Sequence, residues 1–549
     1  MANSRDDHTI GHAQPAGARI AGWVLAILLT VAVAYYVAFH ARFLTLPGPQ
    51  EARESAIPLT TGLMLAGGRP YTLATEPAVT NVYGIVYNYA LLPAAKIWGS
   101  TFFVHRVGSL VFLLAGASLL CAMLLKDGVG RALALAGAVF YYLINTTTYD
   151  ICARPDTLGS ALMLAALWLV MPGRNGQPAS WAKLGGSVLL GVLAFYTKPY
   201  FVFALPLAAA ALFSTNGLKR ALPYAAGAAA LGLASLPVVN HIWPYYIFSI
   251  YTTHLYPETT PPIFFSYQLH DFLELHAGLL AAAAILGAGW LARTAKTAEL
   301  PVAPVWRRWQ PTAAVLQLLM AVAAMLFVLG NHVGAFRIYW VQLVTPFLLL
   351  TVLSGLARSG GRIRALALGL LAVNVVILLT WMRPPWPQDS APAWQAWQTL
   401  TAGKPWQLLP YGMLPDVPPA GASLVDNGQT SYFANLALEQ LRPDDPAYLR
   451  VMKYLRDVHA YILQRRFDVI AGPNDFRAYV PDQLLRDHYE KRELSFPMYF
   501  FHYLYPHSYG SDLATFDVWL RKPGPEHAFV NLPPSLPPMA APLKPAEDQ

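Results

Sequence analysis

The composition of this chain of 549 residues excludes an ordinary water-soluble protein, because only 12% of its residues are charged and 55% are hydrophobic. Soluble domains carry about 25% charged residues, and half of that density cannot cover a water-exposed surface. The net charge of +8 does not predict a nucleic-acid partner, since the basic residues form no block and lie in short turns between apolar runs.

About eleven long apolar runs predict an α-helical, polytopic membrane protein with a transmembrane domain over 20–383. In chain order the runs cover 20–42, 104–125, 131–147, 157–171, 184–197, 200–214, 220–240, 272–292, 312–330, 338–356 and 364–382. No small-residue cleavage site follows the first run, which predicts an uncleaved span after a cytoplasmic tail at 1–19. Pro199 separates two runs and is expected to end or kink a helix.

The basic residues predict the orientation of the spans. If residues 1–19 are cytoplasmic and the spans alternate, nearly every basic turn falls on the cytoplasmic side, as the positive-inside rule requires. The outer side then receives the loops 43–103 and 241–271 and the region after about residue 383. The sequence therefore predicts a multi-pass protein of a bacterial inner membrane whose C-terminal domain is periplasmic.

The segment Tyr83–Gly99 is apolar and aromatic, but Asn88 and Lys96 interrupt it. If it crossed the membrane, the sidedness of every later span would be inverted. Tyr and Trp rings are favoured at membrane interfaces. We therefore predict a helix that lies at the outer interface.

The composition changes after Arg383, where a linker rich in proline and tryptophan begins. The mixed segments that follow predict a small soluble α/β domain over 384–531. Strands are expected at Ser423–Asp426, Phe467–Ala471 and Phe516–Leu520, and a helix is expected at Asp445–Gln464. The last segment, 532–549, is rich in proline and is predicted to be disordered.

Short polar and aromatic motifs are concentrated in the first two outer loops and at the ends of nearby spans. In chain order they are Gln50-Glu51, Gly68-Arg69-Pro70-Tyr71, Tyr83-Gly84-Ile85-Val86-Tyr87, the stretch from Gly99 to Ser109, Ala153-Arg154-Pro155-Asp156 and Thr197-Lys198. This ordered set resembles the bacterial family-39 type of polytopic glycosyltransferases in the C superfamily, which use polyprenyl-phosphate-linked sugars as donors. The resemblance implies a helical membrane bundle with interfacial helices that transfers a monosaccharide to an envelope acceptor.

The chain departs from the pattern of this family at three positions. Gln50 stands where many relatives have aspartate, Ile85 replaces a proline, and Pro199 replaces a glutamine that often follows Thr-Lys. The first departure leaves Glu51 and Glu54 as the only carboxylates near this position.

The chemistry of sugar transfer indicates which residue types are needed. A base takes a proton from the acceptor hydroxyl as it attacks the anomeric carbon, and the resemblance implies Glu51 for this role. Asp156 is the second implied catalytic residue and would position the acceptor or a metal. The leaving group is a lipid phosphate, which cations stabilise. Outer-side cations are scarce, and the candidate phosphate ligands are Lys198, Arg154, Arg69 and Arg337.

The remaining candidates have acceptor-binding or structural roles: Asp150, Glu54, Tyr83 and Tyr87. Asp150 and Arg154 are spaced as an ordinary i,i+4 helix pair, which is the favoured interpretation of these two. Arg106 is interpreted as an interfacial anchor.

The strongest candidates also have structural interpretations. Glu51 would suit the dipole of an interfacial helix as a solvated charge in its first turn. Asp156 begins an apolar run and fits an N-cap, and Lys198 fits a lysine that snorkels from the end of a span.

A divalent metal is a minor alternative. His270, Asp271 and Glu274 lie close together in the sequence and fit one face of a helix, but they match no recognised ligand pattern. Acceptor contacts or interfacial positions are the favoured interpretation, and no organic cofactor is predicted.

Three classes of function fit such a chain. The first is a glycosyltransferase, with a polyprenyl-phosphate sugar, an envelope acceptor and membrane lipids as its partners. A secondary transporter or lipid flippase would show internal repeats and charges at the bilayer midplane, whereas this sequence shows no repeat and places its charges at the outer interface. A non-catalytic scaffold for envelope assembly is kept as an alternative because Gln50 replaces an aspartate.

Overall fold

The computed structural model describes residues 16–524 with gaps. The gaps are 51–53, 73–82, 148–151, 173–176, 248, 251–261, 298–312, 327–336, 385, 388, 405–406, 410–423, 426–441, 446–447, 450–451, 453–459, 461, 463, 473–481 and 498–512. Residues 1–15 of the predicted tail at 1–19, and the whole predicted tail at 532–549, lie outside the described residues.

Helices form most of the described chain up to Thr401. They are α1 (Ala16–Phe43), α2 (Ala56–Leu65), α3 (Val86–Trp98), α4 (Phe102–Lys126), α5 (Arg131–Thr146), α6 (Asp156–Val170), α7 (Trp181–Phe195), α8 (Ala204–Asn216) and α9 (Leu218–Ile242). They continue with α10 (Pro262–Leu275), α11 (Ala277–Thr297), α12 (Ala313–Ala324), α13 (Arg337–Arg358), α14 (Gly361–Thr380) and α15 (Ala391–Thr401). Each predicted apolar run contains helix, which confirms the predicted fold class.

Not every helix is long enough to cross a bilayer by itself. Six described helical segments pass by length and composition, one of them α8 taken together with the short turn of helix before it (Pro199–Asn216), and a seventh passes if α10 and α11 form one broken span. The helices α6 and α7 have 15 residues each. At 1.5 Å per residue they are about 22 Å long, which is shorter than a hydrocarbon core of ~30 Å. The predicted interfacial helix is α3, whose 13 residues are too few for a perpendicular span, and its position at the interface stays a prediction.

The predicted run 272–292 is not one straight helix. The chain bends by 74° between Leu269–Leu275 and Ala277–Leu291. His276 lies at the bend, where its side chain bonds the carbonyl oxygen of Phe272 at 2.8 Å and the hydroxyl of Thr345 at 2.7 Å. A buried polar side chain that is satisfied in this way can hold a break that hydropathy does not reveal.

The helix α13 is the centre of the bundle. In the apolar stretch of α13, 83% of the residues are buried, whereas in the apolar stretch of α9 only 11% are buried. A helix that is apolar on all sides and buried on all sides belongs to a core. The helix α9 instead keeps most of its apolar surface on the outside of the bundle, as a lipid-facing helix does.

Turns that the sequence assigns to the cytoplasmic side contact one another. Arg358, the last residue of α13, pairs with Asp127 after α4, with 3.0 Å between Nη2 and Oδ2. Lys126 donates to the carbonyl oxygen of Trp168 near the end of α6 at 3.1 Å. The turns therefore gather at one end of the bundle, as an alternating path requires.

The described C-terminal residues form a sheet of five strands. They are β1 (Gln407–Leu409), β2 (Leu424–Val425), β3 (Val469–Gly472), β4 (Tyr489–Pro497) and β5 (Leu513–Arg521), with a short helix α16 (Asp482–His488) before β4. The spatial order is β2-β1-β3-β5-β4. The strand β1 is parallel to β2 and β3, whereas β5 is antiparallel to β3 and β4.

The three predicted strands overlap β2, β3 and β5, but the sequence did not indicate β1 or β4. The segment of β4, Tyr489–Pro497, carries four charged residues and reads as a polar surface segment. It becomes a strand because it pairs along its whole length with β5. Most of the predicted helix at Asp445–Gln464 lies outside the described residues.

Candidate active site

The buried carboxylate of Asp156 is the centre of the candidate site. Asp156 begins α6 and is fully buried. Its Oδ1 accepts from Nζ of Lys198 at 2.5 Å and from the hydroxyl of Tyr200 at 3.0 Å, and its Oδ2 accepts from Nε of Arg154 at 3.1 Å. A buried charge is tolerated when it is paired and hydrogen-bonded, as this carboxylate is. The sequence predicted Asp156, Arg154 and Lys198 as site residues, and in the structure these three side chains meet.

The position of Lys198 follows from a break in the helix. The helix α7 ends at Phe195, and Pro199 begins a 3₁₀ turn that precedes α8. This confirms the predicted effect of Pro199. Lys198 lies in the break with an extended backbone, at φ −158° and ψ 131°. Its side chain is 4% exposed, so it does not snorkel to water.

Aromatic rings surround the ammonium group of Lys198. Its Nζ lies 4.7 Å from the ring centre of Tyr339 and 5.3 Å from the rings of Tyr83 and Tyr200. The ring of Tyr83 also lies 5.5 Å from the guanidinium carbon of Arg154. Ring faces attract cations, and this attraction is strongest where water is excluded. Tyr83, predicted as an acceptor or structural residue, is thus shared by both cations.

Gly84 brings Tyr83 to this position. The amide of Gly84 donates to the carbonyl oxygen of Thr197 at 3.1 Å, and the amide of Val86 donates to that of Tyr196 at 3.3 Å. A Cβ atom at residue 84 would overlap the carbonyl group of Tyr196. Only glycine permits two backbones to approach this closely.

Three residues of the cluster were missed by sequence reasoning: Tyr200, Tyr339 and Gln342. The hydroxyl of Tyr200 lies between the carboxylate of Asp156 and the side-chain amide of Gln342, and its single proton is donated to one of them at a time. Gln342 is a buried amide in a predicted span, and such residues often mark functional positions, so it was a usable signal. Tyr200 and Tyr339 gave no usable sequence signal, because aromatic residues are common throughout this chain.

A second buried ion pair joins Glu54 and Arg106. Nε and Nη2 of Arg106 donate to the two carboxylate oxygens of Glu54 at 2.8 and 2.9 Å. Arg106 also donates to the carbonyl oxygens of Leu46 and Gly48, each at 2.6 Å. Both side chains are fully buried. The interpretation of Arg106 as an interfacial anchor is therefore wrong, because its guanidinium is fully buried and all three of its nitrogens donate inside the protein.

The carboxylate of Glu54 also ties two outer loops together. It accepts from the amide of Gln50 at 2.7 Å and from the amide of Ala153 at 2.8 Å. Ala153 directly precedes Arg154, so the loop of the first motif is fixed against the loop that carries the Asp156 cluster. Of the two predicted roles, these contacts support the structural one.

Tyr87 is also held within the protein. Its hydroxyl bonds the carbonyl oxygen of His105 at 2.9 Å and the hydroxyl of Ser109 at 2.8 Å, and the residue is fully buried. These contacts fasten α3 to α4.

The other predicted residues are not part of the described cluster. Glu51 and Asp150 lie outside the described residues, so the favoured pair of Asp150 with Arg154 stays a prediction. Arg69 is exposed in the turn after α2. Arg337 is the first residue of α13, two positions before Tyr339.

The residues proposed as an alternative metal site form only a weak pair. His270 and Glu274 lie 3.5 Å apart on a partly exposed face of α10. Among the residues that the structure describes, no group of three His, Cys, Asp or Glu side chains could hold a metal ion. A metal in this protein stays an untested alternative.

The bundle that carries the cluster has the fold of the polytopic glycosyltransferases of the GT-C class. The solved structures that share it include ArnT from Cupriavidus metallidurans in the apo state, with a TM-score of 0.54 and 14% identity over 91% of this chain and 98% of that chain. ArnT bound to undecaprenyl phosphate gives a TM-score of 0.50 and 14% identity over 84% of this chain and 95% of that chain. No protein-family model and no curated protein sequence matches the chain. The family resemblance of the motifs is thus confirmed at the level of the fold.

Proposed function

We propose that this protein transfers a monosaccharide from a polyprenyl-phosphate-linked donor to an envelope lipid, glycan or protein on the outer face of a bacterial inner membrane. The observation that carries the proposal is the buried cluster of Asp156, Arg154 and Lys198. It lies within a fold shared with ArnT, one structure of which is bound to undecaprenyl phosphate.

The two cations of the cluster suit a lipid phosphate. Arg154 and Lys198 come from separate loops, and both are oriented by the same carboxylate. Charge-assisted hydrogen bonds to phosphate oxygens are among the strong ones, and they gain strength where water is excluded. We assign Arg154 and Lys198 to the donor phosphate and Asp156 to the positioning of both cations.

Arg337 and Arg69 are weaker candidates for the same phosphate. Arg337 begins the helix that supplies Tyr339 and Gln342 to the cluster, which supports a place nearby. Arg69 is exposed, so it would attract the incoming donor rather than bind its phosphate during the reaction.

The reaction requires one base and one departing anion. In the proposed step an acceptor oxygen attacks the anomeric carbon and loses its proton to the carboxylate of Glu51. A new carbon–oxygen bond forms as the bond between the anomeric carbon and the phosphate oxygen breaks, so a single displacement inverts the configuration. The polyprenyl phosphate leaves with the electron pair and stays bound to Arg154 and Lys198. The carboxylate of Glu54, three residues after Glu51, binds the amides of Gln50 and Ala153. The segments on both sides of Glu51 are thereby tied to the loop of Arg154, which supports Glu51 as the base.

The test is a transfer assay with purified protein in lipid. Radiolabelled polyprenyl-phosphate sugars and an envelope-lipid extract are supplied to the native protein, to Glu51→Gln and to Glu490→Gln, an exposed control on β4. Transfer that is lost only in Glu51→Gln is expected. If folded native protein transfers no sugar across a broad donor panel, a transporter or a scaffold becomes the better explanation.

A further inference from the structure

The C-terminal domain touches the loop that precedes Glu51. The turn at Gly48 has a positive φ of 69°. The three atoms nearest to the position of a Cβ at Gly48 all belong to the indole ring of Trp394 on α15, and they would overlap with it. The hydroxyl of Ser390, which precedes α15, donates to the carbonyl oxygen of Pro47 at 3.1 Å. The turn and α15 are therefore in direct contact at two points.

Trp394 is fixed on its other side by the sheet of the C-terminal domain. It belongs to a buried cluster with Trp397, Val469, Ala471 and Val518. Val469 and Ala471 lie on β3 and Val518 lies on β5, and these strands pair with each other. The position of the indole is therefore set by the folded domain.

The contact continues from the turn into the membrane domain. The carbonyl oxygen of Gly48 accepts from Nη2 of Arg106, and the same guanidinium binds both oxygens of Glu54. Glu54 in turn holds the amides of Gln50 and Ala153. An unbroken series of short contacts thus leads from the C-terminal domain to the residues on either side of Glu51 and to the loop of Arg154.

We propose that Trp394 is a positioning residue, through which the C-terminal domain holds the Gly48 turn and the contacts of Glu54 with Gln50 and Ala153. This inference rests on the proposed function. The domain would then be part of the support of the active site. Because Arg154 and Lys198 are also held by Asp156, loss of the Trp394 contact is expected to affect the chemical step more than donor binding.

The first experiment compares Trp394→Ala with Trp397→Ala. Both residues are buried in the same cluster of the domain, at 6% and 2% exposure, so the control measures general weakening of that core. Trp394→Ala is expected to lower kcat at least about tenfold with little change in the KM of the donor, since small misplacements of reacting groups have large effects on rate. Equal effects of the two variants on kcat would overturn the inference.

A double-mutant cycle tests the contact itself. Gly48→Ala introduces a methyl group where the indole lies, and it is expected to lower kcat as Trp394→Ala does. If the two residues act through one contact, the double variant is no worse than the more damaging single variant. Additive losses would contradict the proposal.

A readout without activity separates this inference from the proposed function. Hydrogen exchange of the Gln50 and Ala153 amides reports the Glu54 contacts directly. Faster exchange at both amides in Trp394→Ala, but not in Trp397→Ala, is expected even if no sugar donor is found. Unchanged exchange in Trp394→Ala would overturn the positioning role, whereas an inactive native protein would count only against the glycosyltransferase proposal.

Discussion

At the scale of single residues, the candidate site depends on one carboxylate that serves two cations. Asp156 is fully buried, and its three described partners come from two different loops. The removal of water from three charged groups is costly, and the cost is offset only while all of them are paired. The cluster is therefore sensitive to any change that removes a single partner.

Replacement of Lys198 tests the proposed phosphate contact. Lys198→Met keeps the length of the side chain and removes the charge, and a lost charge-assisted hydrogen bond is worth about 1.5–3 kcal/mol. We expect kcat/KM for the donor to fall by about 10- to 100-fold, mainly through KM. Steady-state kinetics with a labelled donor would measure this change. Lys183→Met, at the exposed start of α7, is the matched control, and a native KM in Lys198→Met would refute the assignment.

The Arg106–Glu54 pair is expected to be essential for stability. Removal of one partner of a buried ion pair costs about 3–5 kcal/mol, so Arg106→Met should lower Tm strongly in detergent. The exposed pair of Arg358 with Asp127 is the comparison, since exposed pairs contribute about 0–1 kcal/mol. If Arg358→Ala shifted Tm as far as Arg106→Met does, burial would not be the deciding factor.

At the scale of elements, two breaks in regular structure create the site. Pro199 ends the continuity between α7 and α8 and leaves Lys198 in the gap. Gly84 lets the chain before α3 lie against the same gap, so that the ring of Tyr83 covers Lys198 and Arg154. The first break follows from the chemistry of proline and is predictable from the sequence. The second depends on a long-range contact between two backbones, which local sequence does not reveal.

Gly84→Ala is expected to disrupt this arrangement. The methyl group would overlap the carbonyl group of Tyr196, and backbone atoms cannot turn away as a side chain can. We expect a loss of transfer activity and a lower Tm. The control is Gly185→Ala in α7, where no atom beyond the adjacent backbone of the helix itself lies within 4 Å of the added Cβ. That change should be neutral or stabilising by up to about 1 kcal/mol, because alanine favours helix. Full activity in Gly84→Ala would show that the packing at this point is dispensable.

At the scale of the whole molecule, the positive-inside rule predicts which end of the bundle faces the cytoplasm. Single cysteines at Lys126 and Lys404, introduced into a protein in which Cys121 and Cys152 are replaced by serine, would test this orientation. A maleimide that does not cross membranes should label Lys404→Cys in intact spheroplasts. It should label Lys126→Cys only after permeabilisation. The reverse pattern would mean that a further segment such as Tyr83–Gly99 crosses the membrane.

The sequence predicted more of the helical bundle than of the C-terminal domain. Membrane spans are signalled by long apolar runs, because every backbone group in lipid must be satisfied within its own helix. Strands of a small soluble domain give weaker signals. The charged segment of β4 is a strand only because β5 pairs with it, and that pairing is a long-range contact.

By itself, the sequence determined that this protein is a helical membrane bundle, that Pro199 interrupts it, and that Arg154, Asp156 and Lys198 are candidates for one site. Only the tertiary structure decided that these three meet, that Tyr200, Tyr339 and Gln342 join them, and that Arg106 is buried against Glu54. The physical reason is that hydropathy and backbone chemistry act locally along the chain. The pairing of buried charges depends on which loops the folded helices bring together.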